Sequence, residues 1–160
     1  MQNTKKSKPK TLHGMAAIRA IEAKEGELSP EQRYVALKEG YVDGEYLDHK
    51  GITTKGVGQT GKFMYMTYKE AFSILEKECA EKFIPAYPLL SSDMRCVIMS
   101  AFYRGDIQQS PTFRRLFNEH QYEKAAAEFL NHKEYKTKST PKQIKQRIKE
   151  VSDCILEHVL

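Results

Sequence analysis

The stretch Glu39-Gly40-Tyr41-Val42-Asp43-Gly44-Glu45-Tyr46-Leu47-Asp48-His49-Lys50-Gly51-Ile52-Thr53-Thr54-Lys55-Gly56-Val57-Gly58-Gln59-Thr60 decides how the rest of the chain is arranged. Before it stands Ser29-Pro30-Glu31-Gln32, a helix start: Ser at the N-cap, Pro at the first helical position and Gln at the third to close a capping box. That helix carries Tyr34, Val35 and Leu37 and stops at Gly40, where a positive φ costs little. Glu39 therefore falls in the last helical turn, where the negative end of the helix dipole disfavours an ionised carboxylate. From Tyr41 to Thr60 the helical period disappears. Two β-like pieces, Glu45 to Leu47 and Ile52 to Thr54, flank His49-Lys50-Gly51, which predicts a small hairpin or three-stranded sheet. Strands this short must pack on helices to persist.

Outward from this stretch the chain reads as helices. Leu12, Met15, Ile18 and Ile21 recur at a spacing of three and predict a short helix over Leu12 to Lys24, ended by Gly26. Thr67-Tyr68-Lys69-Glu70 is a second capping box. It opens a helix whose Ala71, Phe72, Ile74, Leu75, Cys79, Phe83 and Ile84 form a wide apolar stripe before Pro85 and Pro88. Ser91 or Ser92 caps a helix, Met94 to Tyr103, that is apolar on most sides and so is the candidate central buried helix. Short helices follow from Ser110-Pro111 and over Gln121 to Leu130. Thr140-Pro141 begins the last one, with Ile144, Ile148, Val151 and Ile155 at helical spacing. The predicted fold class is α+β: a small β element beside a mainly helical lobe. Residues 1–28 read as a basic N-terminal extension with a short helix, its Lys-rich first eleven residues mobile in isolation, and residues 29–160 as the main domain.

Composition narrows the function classes. The 160 residues carry a net charge of +5 and have a pI near 9.0, which favours an anionic partner: nucleic acid, an acidic membrane surface or an acidic wall polymer. No zinc-finger, RNA-recognition or helix-turn-helix signature accompanies the charge, so nucleic acid is the least favoured. Cys79, Cys96 and Cys154 are odd in number, far apart and set among apolar residues, as reduced thiols of a core are. The five histidines show no paired metal spacing, so metal catalysis is not expected. No apolar run reaches the ~20 residues that span a bilayer. The start, MQNTKKSKPK, lacks the apolar core of a secretory signal, which predicts synthesis in a cytoplasm and delivery elsewhere by another agent.

Glu39 and Asp48, nine residues apart, and Thr54, six further on, suit the cleavage of a glycosidic bond. One carboxyl group protonates the leaving oxygen while the other activates water or steadies positive charge on the sugar ring. The acid must hold its proton near neutral pH, which a helix C-terminus beside apolar walls favours. Asp48, in a polar turn between Leu47 and His49-Lys50, is placed to stay ionised. Taken alone, the pair is weak: among 21 acidic residues, Asp43 and Glu45 fit equally well, Thr53 and Thr54 are ordinary strand formers, and Gly56-x-Gly58 is an ordinary turn signal.

The fixed offsets carry more. Glu39-Gly40, Tyr46, Asp48, Gly51, Thr54, Gly56-Val57-Gly58 and Thr60-Gly61 stand without a gap as in the T4-type phage lysozymes, and the chain resembles that endolysin and muramidase family. A second likeness follows in Ser100-Ala101-Phe102-Tyr103-Arg104-Gly105, similar to the end of the family's central helix. A third is Arg147-x-x-Glu150 in the last helix. The likeness spans roughly residues 30 to 155. It implies a lysozyme-like fold, with Glu39 as general acid, Asp48 as the carboxylate that positions water or steadies the oxocarbenium-like state, and Thr54 as a water-positioning hydroxyl. Gly58, Gln59, Phe102 and Tyr103 would line the substrate site. Gln59 departs from the family's usual His, and Tyr103 from an Asn or Gln, so both bear on substrate fit.

The resemblance implies an inverting muramidase that cuts the β-1,4 bond between N-acetylmuramic acid and N-acetylglucosamine, for host lysis or phage entry, without metal or cofactor. A monomer acting on peptidoglycan is expected, with an anionic membrane surface or virion proteins as further partners. It would be released to the periplasm or wall by a holin-type pore or delivered by a particle. Two other readings compete: a non-catalytic wall-binding or virion structural module that keeps the fold, and a lytic transglycosylase.

Overall fold

Ser29 caps α2 (Pro30–Glu39) in the predicted way: its hydroxyl accepts from Gln32 N at 3.1 Å, and its own N–H donates to Gln32 Oε1 at 2.8 Å. Gly40 then ends the helix at φ 78° and ψ 174°, a conformation open only to glycine. A Cβ there would also crowd Leu12 O at 3.2 Å. The computed structural model describes residues 9–159, so most of the Lys-rich start, with its predicted mobility, lies outside the described residues. The chain divides into two units, one up to Ser73 and one from Ile74.

In the first unit, β1 (Thr11–Leu12) is followed by α1 (Gly14–Glu25), α2, β2 (Tyr41–Leu47) and β3 (Thr53–Gly56). The sheet is antiparallel in the order β1-β2-β3. Leu12, predicted to open the first helix, instead pairs with Tyr41. The helix starts only at Gly14, and a two-residue strand is too short to show its own periodicity. β2 begins at Tyr41 rather than Glu45, directly after the Gly40 stop, and carries an irregularity between Val42 and Tyr46. Ala17, Ile18 and Ile21 of α1, Val35 and Ala36 of α2, and Tyr41 and Val42 of β2 are buried. Residues 11–25 thus contribute to this unit's core and sheet.

A 3-10 turn (Gly61–Tyr65) leads to α3 (Tyr68–Glu78). Only half of the predicted Thr67 capping box forms conventionally, with Glu70 N donating to Thr67 Oγ1 at 3.1 Å. The leading N–H groups of Tyr68 and Lys69 instead donate to the Glu25 carboxylate at 3.0 and 2.8 Å. A carboxylate at the end of α1 therefore caps α3, the favourable end of the dipole for negative charge. The Tyr68 hydroxyl donates to Gln32 O at 2.6 Å, tying α3 to α2.

The second unit holds α4 (Ser92–Arg104), α5 (Pro111–Asn118), α6 (Tyr122–Phe129), α7 (Lys133–Lys136) and α8 (Lys142–Val159). Before α4, a wide turn over Cys79–Phe83 finishes the α3 segment ahead of Pro85. Ser91, the first of the two candidates, caps α4 by accepting from Met94 N at 3.3 Å. α4 buries Met94 and Cys96 through Phe102 and is the central helix. Arg147 of α8 fastens onto it, its Nε donating to Ser100 Oγ at 3.0 Å and its Nη2 to Ser100 O at 3.2 Å. Cys79 and Cys96 are buried and Cys154 half-buried, all as free thiols. Burial, and then the charges of Glu76 and Glu78, push the Cys79 thiol up to about 12, so it stays protonated and inert. No helix among the described residues is long and apolar enough to cross a membrane.

Candidate active site

Glu39 is the last residue of α2, half-buried, and Gly40 turns the chain straight from it into β2. Asp48 follows the end of β2 and organises the hairpin turn. Its Oδ1 accepts from Lys50 N at 2.8 Å and Ile52 N at 2.9 Å, while its backbone N–H donates to Ile52 O at 2.9 Å. These two N–H donors, the one from Ile52 foremost, together with the charges of His49 and Lys50, hold the Asp48 carboxyl below its ordinary value against a smaller opposing effect of burial. With Oδ1 taken up by the turn, Oδ2 is the oxygen left to accept from water.

Thr54 lies on β3 and is 3% exposed. Its hydroxyl donates to Ile52 O at 2.9 Å. With that proton committed, Oγ1 offers only lone pairs, so a water beside it must donate to it.

Sheet register brings a further group to these residues. Tyr46 is paired directly opposite Thr54, so the two side chains share one face of the sheet. Burial first, then the charges of Asp48 and of Glu39, raises the Tyr46 phenol above its ordinary value. Both carboxylates therefore act on the same phenol. Tyr46 was visible in the sequence only as one fixed offset. Its role depends on a cross-strand register that the irregularity in β2 conceals.

Of the residues expected to line a substrate site, Gly58 is exposed at φ 60°. Gln59 is 3% exposed, and its amide is fully engaged. Nε2 donates to Phe63 O and Met66 O, both at 3.0 Å, and Oε1 accepts from Val57 N at 3.4 Å. Gln59 thus fastens the chain after β3, and Gly56 accommodates it: a Cβ there would lie 2.4 Å from Gln59 Oε1. In the second unit, Phe102 is 1% exposed with its ring 5.3 Å from that of Phe83, and Tyr103 is half-buried.

One group of potential metal ligands occurs among the described residues: Asp106, His132 and Glu134, with ligand atoms within 4.8 Å of one another. The Arg104 guanidinium already fills the cation's role there, with Nη2 at 2.8 Å from Glu134 and Nε at 3.7 Å from Asp106. His132 Nδ1 accepts from Glu134 N at 3.0 Å, so Nε2 carries the proton shared with Asp106 Oδ1 at 3.0 Å. Both ring nitrogens are engaged, and the cluster is an internal ion network. The sequence could not show it, because its members lie up to 30 residues apart.

Residues 36–150 match the family model described as phage lysozyme. The chain belongs to the phage lysozyme family. It is accordingly a glycoside hydrolase whose substrate is peptidoglycan. Among solved structures, the active form of the P1 phage endolysin Lyz matches with a TM-score of 0.65 over 94% of this chain and 98% of that one. At 12% identity that likeness concerns the fold, which is lysozyme-like. Among curated proteins, none matches the sequence.

Proposed function

We propose that the enzyme is an inverting muramidase, cleaving the β-1,4 bond from N-acetylmuramic acid to N-acetylglucosamine with Glu39, Asp48 and Thr54. Glu39 donates its proton to the glycosidic oxygen as the C1–O bond breaks. Water held by Asp48 and Thr54 attacks C1 from the opposite face and gives its proton to Asp48. The product has a free hydroxyl at C1 with inverted configuration, and solvent returns the proton to Glu39. The observation that carries this assignment is the hairpin geometry: Tyr46 stands opposite Thr54 on the sheet, and Asp48 closes the turn that joins their strands. Two features of the turn agree with it: the committed Thr54 proton and the engaged Asp48 Oδ1 leave acceptor positions for one water.

Gly58, Gln59, Phe102 and Tyr103 are assigned to substrate binding. Residues 1–28 are assigned as an extension to a catalytic domain of residues 29–160. This accords with a family match that begins within α2, although β1 and α1 pack into the same unit. For its biological setting, the enzyme is assigned to host lysis or phage entry as a monomer that crosses to the wall through a holin-type pore or with a particle.

Mass spectrometry and anomer-resolved NMR of the products from purified peptidoglycan test the mechanism. Reducing N-acetylmuramic ends released first as the α-anomer are expected. Anhydro ends would instead identify a transglycosylase, β-anomers a retaining enzyme, and binding without products a non-catalytic module.

A further inference from the structure

Thr54 and Lys55 are neighbours on β3, so their side chains leave opposite faces of the sheet. Thr54 faces the side of Tyr46. Lys55 turns to the reverse side and lines a concavity of about 480 Å³ together with Lys24, Asp43, Gln59, Tyr65 and Glu70. None of Glu39, Asp48 and Thr54 lines it. Its volume falls within the ~300–1,000 Å³ usual for a ligand site.

The walls are fixed in advance. Gln59 holds Phe63 O and Met66 O, and the Glu25 carboxylate holds the N–H groups of Tyr68 and Lys69 at the rim. Within this frame the chemistry is mixed. The Lys55 side chain is half-buried, and no carboxylate among the described residues pairs with it. Partial desolvation without an anion makes such an ammonium a receptor for one. Tyr65 is 92% exposed, a large ring that buries nothing in the free protein and offers an apolar platform beside the charge. Of the other lining groups, Lys24 and Asp43 neutralise each other in an ion pair at 2.5 Å, and the Glu70 carboxylate supplies the opposite sign. A neutral sugar ring would leave the Lys55 charge unanswered. A short peptide bearing both carboxylate and ammonium groups meets every feature.

We propose that this pocket binds the stem peptide of peptidoglycan, its carboxylate on Lys55, its backbone along Tyr65 and its ammonium toward Glu70. The identity of the ligand rests on the assignment of peptidoglycan as substrate. Such a site on the reverse of the sheet would let the enzyme grip the peptide of the polymer while the glycan is cut elsewhere.

The test titrates the wild-type chain, Lys55→Gln and Tyr65→Ala with the soluble tripeptide L-Ala-γ-D-Glu-meso-diaminopimelate, followed by NMR. Shifts at Lys55, Tyr65 and Glu70 are expected, with affinity lowered about tenfold in Lys55→Gln, as for loss of a hydrogen bond to a charged group. Tyr65→Ala should also bind more weakly. Lys55→Gln should then slow hydrolysis of intact peptidoglycan while leaving hydrolysis of amidase-stripped glycan unchanged. No binding, or equal binding by all three proteins, overturns the pocket and leaves the hydrolase assignment standing. Failure of the wild type to cut either polymer would sink the muramidase reading instead, and the peptide titration, which needs no turnover, still decides the pocket.

Discussion

The hairpin of β2 and β3 and the helix α4 are built on opposite terms. α4 buries Met94 and an unbroken run from Cys96 to Phe102. The hairpin leaves Asp43 through Glu45 and His49 through Thr53 exposed, and it is held by backbone bonds around Asp48, by Gln59 and by glycines. One region obtains its order from apolar burial, which tolerates little chemistry. The other is ordered chiefly by hydrogen bonds, and all three residues assigned to catalysis belong to it or adjoin it. On that assignment stability and function fall in different parts of the chain, and substitutions should separate them.

The largest stability effect is expected in the helix. Phe102→Ala removes a side chain that is 1% exposed and should cost about 3–5 kcal/mol in urea unfolding. A loss below about 1 kcal/mol would mean that α4 does not carry the stability assigned to it. In the hairpin, Gly56→Ala places a Cβ 2.4 Å from Gln59 Oε1 at a φ of +59°. It should cost about 1–3 kcal/mol and lower activity as Gln59 shifts, which denaturation and wall-clearing assays on the same protein will show. Ser29→Ala removes the cap of the helix that ends at Glu39 and should cost about 1 kcal/mol with little effect on the turnover rate.

The smallest effect concerns pH. Because the Asp48 carboxyl is held below its unfolded value, its stabilisation is fully present above the unfolded value of about 4 and is lost as pH falls through the folded one. Asp48→Asn keeps an acceptor for the two N–H groups but cannot titrate. Its thermal midpoint should therefore fall less steeply than that of the wild type below about pH 4. Parallel acid curves would contradict the assigned hydrogen bonding.

What the sequence made legible follows the same division. Caps depend on residues close in sequence, so Ser29-Gln32 and Gly40 could be read directly and Ser91 as one of two candidates, as could the stripes of α4 and α8. The spacing of Glu39, Asp48 and Thr54 was legible because a helix end, a turn and a strand follow one another without interruption. Contacts between distant segments were hidden: β1 pairing through Leu12, Glu25 capping α3, and Arg147 fastening Ser100. The burial of Gln59 was hidden because it depends on carbonyls of a turn that has no sequence signature. The role of Tyr46 was hidden for a related reason, since the irregularity in β2 decides which residue faces Thr54.

The assignment of chemistry to the hairpin is tested most directly by clearing of a peptidoglycan suspension with the wild type and Glu39→Gln, both shown to be folded by circular dichroism. The amide cannot donate the required proton, so Glu39→Gln should lose about 10²-fold to 10⁴-fold in rate with its unfolding midpoint nearly unchanged. Equal clearing by the two proteins would contradict Glu39 as the acid and, with it, the hairpin as the seat of catalysis.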